Sequence, residues 1–453
     1  MPALTADVAR FAASVEFPAL PERCVAAART GMVDCAGVMI AGSSEPAARI
    51  VASLVQSSTL NDGAPEIPGG RNLAAADAAF VNGVAAHALD YDDVAMDGHT
   101  SAALTPAILA EGWSLGASGA DALAAYAAGY ELWALLLELE PGHLHERGFH
   151  PTAIWGTLSA AAACARLRRL DAEQTRHAIA IAASLAAGVV ANFGTMTKPL
   201  HVGRAAQAGV LAARLAKSGF TAAADALEHQ VGFMRAHSPS GRPALDAGNW
   251  DLGRRWRMEV LGVNVKRYPT CYATHRSIDA MLDLVRDHEL QPGAVEEIRV
   301  RIGATPMLML RNHAPKTGLE AKFSMEFAMA SALVARRVGL AELTDGFVAR
   351  PEVIEAMRKV RCTTTDETLP DSPFSPDDRV SVVLGSGRTI EHAPVTHAKG
   401  SWQQPLSEAE LRAKFMDCVE PKLGRRRADA LFASLSAIEE LPSLRDLPIA
   451  GEA

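Results

Sequence analysis

The chain has 453 residues, of which 49% are hydrophobic and only 5% aromatic, and its formal net charge is −8 at pH 7. Because a single hydrophobic core stops growing at roughly 250–300 residues, this length predicts two domains. The negative charge and a sequence pI near 6.0 disfavour nucleic acid as a partner, since phosphate contacts require clustered lysine and arginine.

The six cysteines are widely spaced and form no CxxC pair, which is typical of reduced thiols in a cytoplasmic protein. The N-terminal segment carries acidic residues and lacks the basic start and continuous apolar stretch of a signal peptide. We expect no membrane span, because no stretch approaches about 18 or more apolar residues. Together these features predict a cytoplasmic protein with no membrane partner.

From Ala6 to about Gly262 the sequence repeats amphipathic helical patterns that break at glycine, proline and aspartate. Asp171 is a typical N-cap, since its carboxylate can accept from helix N–H groups that would otherwise lack a partner. The predicted helices are Glu22–Ala41, Ala74–Leu89, Ala102–Leu115, Gly119–Leu139, Thr157–Leu167, Ala172–Ala187 and Gly203–Ser218. This part of the chain therefore predicts one all-helical domain.

After Lys266 the pattern changes. A helix over His275–His288 precedes Glu296–Gly303, which alternates β-branched and charged residues as a half-buried strand does. A hairpin is predicted to turn at Gly385–Gly387.

Helix returns at Ser407, where Ser407 and Glu410 form a capping-box pattern. This tail is too short to fold alone, so we expect it to pack on the first domain. The fold class is predicted as mainly α, with a discontinuous all-helical domain over 1–265 and 396–453. A smaller α+β domain, predicted to act as a lid, covers 266–395.

A polar segment interrupts the alanine-rich helices of the first domain. It carries two histidines and four aspartates, namely His87, Asp90, Asp92, Asp93, Asp97 and His99. A polar loop between helices explains the segment about as well as a functional site does. A divalent-metal site is the weaker interpretation, because the calcium loop's fixed glycine and distal glutamate are missing and no second aspartate-rich motif is present.

Three further histidines follow in GHLHERGFHPTAIWGT. His143 and His145 could ligate zinc, yet no third ligand stands at a typical spacing, so they are interpreted as surface residues. His150 differs, because glycine and proline bracket it in irregular backbone, where reactive side chains are often held.

The segment GTMTKPLHVGRAAQAG places Lys198 and His201 just before a helix predicted to begin near Gly203. Two groups that can carry positive charge, beside a helix N-terminus, suit a carboxylate or a phosphate. We therefore predict an anion-binding site here.

A second basic segment, NVKRYPTCYATHRSIDA, lies at the predicted domain junction, where ligand clefts commonly form. Lys266 and Arg267 are candidates for substrate binding, since arginine can grip a carboxylate through two parallel N–H bonds. Cys271 could be a nucleophile near these charges, but a small packing residue is the simpler interpretation.

Several common site motifs are absent from the sequence. The chain contains no GxGxxG after a strand, no GxxxxGK[ST], no HExxH and no GxSxG. Dinucleotide, nucleoside triphosphate, zinc-protease and α/β-hydrolase functions therefore lack their motifs.

Five segments, in this order, resemble the MmgE/PrpD family, which includes 2-methylcitrate dehydratase, cis-aconitate decarboxylase and iminodisuccinate epimerase. The matching segments are NGVAAHALDYDD, RGFHPTAIWGT, GTMTKPLHVGRAAQAG, VKRYPTCYATHRSID and AKFSMEFAMA. The resemblance implies a homodimer with a site between an all-helical and a lid domain, without metal or cofactor.

The residues that match the family's site are Asp90, His99, His150, Lys198 and Lys266. Carried over, they imply that Lys198 and Lys266 bind substrate carboxylates while His150 or His99 acts as base and acid. Asp90 would orient a histidine or share the proton transfer.

The reaction expected from the resemblance is a dehydratase-like lyase reaction on a small hydroxy-polycarboxylate. Epimerisation, racemisation, decarboxylation and non-catalytic binding of a polycarboxylate are the alternatives. The chain departs from the decarboxylase pattern at Val94, Cys271 and Phe327, where that branch has Thr, His and Tyr. It also lacks the HPS segment of the dehydratase branch, because Thr100 and Ser101 follow His99.

Overall fold

The computed structural model describes residues 3–59, 62–246, 248–369 and 374–449. Over these residues the chain divides into two compact units, one formed by 1–264 and 407–453 and the other by 265–406. The fold is mainly α with a smaller α+β part.

The first unit consists of helices joined by short loops. Its α-helices are Leu4–Ser14, Glu22–Gly42, Pro46–Leu54, Ala75–Ala88, Thr100–Leu115, Gly119–Leu139, Pro151–Leu167, Ala172–Ala183, Thr197–Lys217, Phe233–His237, Arg257–Leu261, Glu408–Leu423 and Arg425–Ser436. Two short strands, Ala64–Pro65 and Asn72–Leu73, pair antiparallel. The helix Glu408–Leu423 has the predicted capping box at Ser407 and Glu410.

The second unit contains a four-stranded mixed sheet. Its helices are His275–Asp287, Ala304–Met309, Gly318–Ala321, Met325–Ala335, Asp345–Val348 and Pro351–Arg358, and its strands in sheet order are Val360–Thr365, Val295–Gly303, Arg379–Leu384 and Thr389–Glu391. The first two strands run parallel, with Ile298 opposite Val360, and the others pair antiparallel. The predicted hairpin at Gly385–Gly387 is therefore present.

Two helices begin well before their predicted starts. The helix predicted from Thr157 begins at Pro151, so His150 is its N-cap residue. The helix predicted from Gly203 begins at Thr197, so Lys198 and His201 lie inside its first turns and not in a preceding loop. Proline suits a first helical position, because its missing N–H would have no partner there.

Two helices of the first unit, Glu22–Gly42 and Gly119–Leu139, are long and apolar enough to cross a membrane, which the sequence interpretation did not anticipate. Within the described structure, 72% and 89% of their apolar windows are buried. A helix that is apolar on all sides is typical of a domain core, and their burial matches that pattern.

Small residues bring three helices of the first unit into close contact. A Cβ added at Gly83 would lie 2.8 Å from Cα of Gly203, and one added at Gly209 would lie 2.4 Å from Cβ of Ala160. The Gly83–Gly203 crossing lies near the end of Ala75–Ala88 and near the start of Thr197–Lys217. These two helix ends are therefore held together, and the chain segments beside them form the site described below.

Substituting alanine for Gly203 is expected to destabilise the protein by about 1–3 kcal/mol. The new Cβ would lie 2.5 Å from the backbone oxygen of Phe80, which cannot move aside as a side-chain end can. Gly346→Ala is the control, because nothing lies within 4 Å of a Cβ added there. Urea unfolding measures both variants. Equal stability of G203A and the wild type would show that the helices Ala75–Ala88 and Thr197–Lys217 do not approach each other this closely.

Candidate active site

The polar segment forms a loop between the helices Ala75–Ala88 and Thr100–Leu115. Three of its non-glycine residues have positive φ angles, 53° at Asp90, 53° at Met96 and 60° at Asp97. Left-handed backbone costs energy at residues with a Cβ, and such residues cluster at functional sites. The loop is also mostly buried, so it is not a solvated connection.

The carboxylate of Asp92 lies between two imidazole rings. Both of its oxygens are 3.0 Å from Nδ1 of His87, and one is 2.9 Å from Nδ1 of His99. The contact with His99 is close but is not aligned as a hydrogen bond. The two rings meet edge to face with centroids 4.3 Å apart. His87 and Asp92 are buried, and 9% of His99 is exposed.

Protonation in this cluster is dominated by burial and by the mutual contacts. Burial lowers the pKa of His87 to about 3, so this imidazole is neutral. Burial alone would raise the pKa of Asp92, but the two histidines at its oxygens hold that pKa well below its usual value. We therefore describe Asp92 as an ionised carboxylate that accepts from the Nδ1–H of neutral His87.

Asp90 and Lys198 form a buried ion pair. Nζ of Lys198 donates to Oδ1 of Asp90 at 2.5 Å, and the same oxygen lies 3.8 Å from Nε2 of His99. The ammonium group also lies 5.2 Å from the ring centre of Phe193. A cation in the first turn of a helix opposes the helix dipole, so a nearby carboxylate is needed to balance it.

A second pair of histidines lies in the same unit. Nδ1 of His150 is 3.2 Å from Nδ1 of His201, so one of the two nitrogens carries the shared proton. Their ring centres are 5.4 Å apart, and His150 is 6.0 Å from the ring of His87. Burial lowers the pKa of both His150 and His201, and the positive charge of Lys198 lowers it further. Both imidazoles are therefore neutral near pH 7.

The remaining two carboxylates of the loop lie in other environments. Asp97 accepts from Nδ1 of His143 at 2.7 Å, and this hydrogen bond raises the pKa of the histidine. Asp93 is fully buried, and burial together with the charge of Asp34 raises its pKa well above the usual value. Nearby, Lys414 of the helix Glu408–Leu423 lies 2.5 Å from Asp34. The four aspartates thus lie in different environments, and the negative charges near Asp93 contribute to its raised pKa.

The structure brings together the five predicted site residues of the first unit, namely Asp90, His99, His150, Lys198 and His201. Lys266 and Arg267 belong to the second unit, where Lys266 is buried and Arg267 lies 3.5 Å from Asp279. Their role in substrate binding remains a prediction. Cys271 and Phe327 are buried in the apolar core of that unit, as a packing role requires.

Sequence reasoning missed the pairing of His87 with Asp92. A histidine in the last turn of an otherwise apolar, alanine-rich helix was the available signal, because such a side chain needs a buried partner. Phe193, whose ring lies 4.9 Å from that of His150, carried no signal.

The trio His87, Asp92 and His99 is also the group, among the described residues, whose ligand atoms lie close enough together for a metal ion, all within 4.8 Å. Two histidines and a carboxylate are a donor set that zinc accepts. However, both Nδ1 atoms already face Asp92, so a metal ion would have to replace these contacts.

Comparison with known proteins identifies relatives along nearly the whole chain. Residues 6–246 match the MmgE/PrpD N-terminal domain and residues 268–437 the C-terminal domain. The cis-aconitate decarboxylase of Mus musculus is 33% identical over 393 residues, which are 82% of this chain and 77% of the relative. The cis-aconitate decarboxylase of Homo sapiens is 31% identical over 380 residues, which are 80% of this chain and 76% of the relative. The cis-aconitate decarboxylase of Aspergillus terreus is 25% identical over 348 residues, which are 71% of this chain and 70% of the relative.

Proposed function

Since the chain belongs to the MmgE/PrpD family, we propose that it is a lyase that acts on a small tricarboxylate and transfers a proton at a carbon next to a carboxylate. The observation that carries the proposal is the contact of one carboxylate oxygen, Oδ1 of Asp90, with both Lys198 and His99. A fixed cation and an imidazole are thereby neighbours in a buried setting.

Proton transfer next to a carboxylate is slow because negative charge builds up on the carboxylate oxygens. A pre-positioned cation stabilises that charge, and it does so more strongly in a buried site than in water. An ammonium group has three N–H donors, so Lys198 can hold Asp90 and a substrate oxygen together. We assign this electrostatic role to Lys198.

The proton itself requires a group that can both accept and donate it. His99 suits this role, since its Nε2 points towards the Asp90–Lys198 pair while its Nδ1 faces the negative charge of Asp92. His150 is neutral and shares a proton with His201, so it suits hydrogen bonding to the substrate.

Two lyase reactions use this step, and decarboxylation is the first candidate because the relatives named above are cis-aconitate decarboxylases. The bond to one carboxylate carbon would break, its electron pair would enter a shifted double bond, and the far carbon would take a proton from His99. The products are CO₂ and an unsaturated dicarboxylate.

Dehydration, which the sequence interpretation favoured, is the second candidate. His99 would remove a proton next to a carboxylate, the electron pair would form a double bond, and hydroxide would leave and be protonated. Return of the proton to the other face would instead give epimerisation.

Product analysis distinguishes these reactions. The full-length protein is incubated with cis-aconitate, citrate, 2-methylcitrate and single stereoisomers of related acids, and proton NMR follows each mixture. CO₂ release with a dicarboxylate alkene supports decarboxylation, and an alkene that keeps all carboxylates supports dehydration. A changed stereoisomer alone indicates epimerisation. Tight binding with no conversion of any acid would contradict the proposed lyase and support a binding protein.

We further propose that the reaction needs no metal or other cofactor, because side chains already provide the cation and the proton-transferring group. Dialysis against EDTA is therefore expected to leave kcat within about twofold of the untreated protein. Metal analysis of the same sample accompanies the assay. Activity that is lost on dialysis and restored by one equivalent of Zn²⁺ would contradict the proposal and implicate His87, Asp92 and His99.

A further inference from the structure

We propose that Asp92 and His87 are positioning residues that fix the proton of neutral His99 on Nδ1, so that Nε2 is the nitrogen that exchanges a proton with the substrate. This inference rests on the proposed function for its catalytic consequence. The orientation of the proton on His99, in contrast, is a property of the protein without substrate.

The first argument is the contact of Asp92 with His99. Oδ2 of Asp92 lies 2.9 Å from Nδ1 of His99, off the axis of an ideal hydrogen bond, and a lone pair on the nitrogen would still lie close to a negative oxygen. Repulsion between them is weaker if Nδ1 carries the proton. Nε2 of neutral His99 then has the lone pair, and the carboxylate near it, that of Asp90, is farther away at 3.8 Å and is paired with Lys198.

The second argument is the contact of His87 with Asp92. Nδ1 of His87 is 3.0 Å from both carboxylate oxygens, so this imidazole donates one shared hydrogen bond to Asp92. That donor helps to keep Asp92 ionised although the carboxylate is fully buried. An ionised Asp92 in turn stabilises the imidazolium that forms when Nε2 of His99 takes a proton.

The third argument is the other end of His87. Its Nε2 is buried and has no hydrogen-bond partner among the residues that the structure describes. Such a group costs about 1–3 kcal/mol, so an apolar side chain would serve packing better in this alanine-rich helix. The contact of His87 with Asp92 is the compensating function that we infer.

Other charged groups also lie near His99. Oδ1 of Asp90 lies 3.8 Å from Nε2, and the same oxygen accepts a hydrogen bond from Lys198. From the helix Pro151–Leu167, Thr152 accepts from the backbone N–H of His99, which fixes the loop but adds no charge. Asp92 is thus the carboxylate in contact with Nδ1, and its removal should change the preferred proton position.

The decisive experiment is two-bond ¹⁵N–¹H NMR on the full chain with labelled histidine, without substrate and at a pH where His99 is neutral. His99→Gln identifies the His99 signal. We expect the proton on Nδ1 in the wild type. A proton on Nε2 would overturn the inference, and this result does not depend on whether the protein turns over any acid.

The variant Asp92→Asn tests the inference by enzyme kinetics. An asparagine offers one acceptor and one NH₂ group to two imidazoles, so one of them must reverse its proton, and the negative charge is lost. We expect kcat to fall about 100-fold or more, with KM changed less than threefold and the pH profile of kcat displaced. An unchanged proton position and an unchanged pH profile in D92N would overturn the inference.

The matched control is Asp93→Asn. Asp93 is adjacent and equally buried, and burial raises its pKa well above the usual value, which favours the protonated form that asparagine resembles in shape. We expect kcat of D93N within about twofold of the wild type. A loss in D93N as large as in D92N would overturn the specific role of Asp92. If the wild type converts no tricarboxylate, the proposed function fails, and the NMR result still decides this inference.

Discussion

Replacing Lys198 with methionine is expected to lower kcat/KM for the tricarboxylate substrate by about 10²- to 10³-fold. Methionine keeps most of the length of the side chain but removes the charge that stabilises the developing negative charge on the substrate. Because the loss occurs mainly in the transition state, kcat should fall more than KM rises. Steady-state kinetics on the purified variant measures both constants.

Loss of stability must be separated from loss of catalysis in this variant. Lys198→Met leaves Asp90 without its ammonium partner, and breaking one side of a buried pair costs about 3–5 kcal/mol. The double variant with Asp90→Asn removes both charges, so much of the stability should return while activity stays low. Recovery of activity together with stability in the double variant would contradict the electrostatic role of Lys198.

Replacing His99 with glutamine is expected to lower kcat by about 10²- to 10⁴-fold, the contribution typical of a positioned acid or base. Glutamine fills a similar volume and can still hydrogen-bond, but it cannot exchange a proton near neutral pH. The limb of the pH profile that reports this group should therefore disappear. The kcat values measured between pH 5 and 9 test both expectations.

His143→Gln is the control for this substitution. His143 is half-exposed and contacts Asp97, which lies in the same loop but outside the group around Lys198. We expect kcat of H143Q within about threefold of the wild type. If H143Q loses as much activity as H99Q, the substitutions act through the loop backbone, and His99 is not the proton-transferring group.

The helical framework was predictable because local patterns determine it. Gly119–Leu139 was predicted with its observed bounds, and the capping box at Ser407 was readable from two residues at fixed spacing. The hairpin at Gly385–Gly387 was equally local. The start of the helix at Thr197 was not predicted, because Gly203 was interpreted as a helix opening although its role is close packing against Phe80.

The site was only partly predictable, because its chemistry depends on contacts between distant segments. The sequence pointed to Asp90, His99 and Lys198 as polar groups in an apolar region, and the family resemblance selected them. Which carboxylate pairs with Lys198, and which lies between two histidines, depends on loop residues in left-handed conformations. Spacing along the chain does not encode those angles.

His99 is proposed to exchange a proton at a carbon next to a carboxylate. The most direct measurement is the conversion of cis-aconitate in D₂O, with the position and amount of deuterium in the product determined by NMR. We expect one deuterium in the product, at the carbon that takes its proton from His99; the wild type should form this labelled product and H99Q almost none of it in the same time. Product without deuterium, or equal labelling by H99Q, would contradict it.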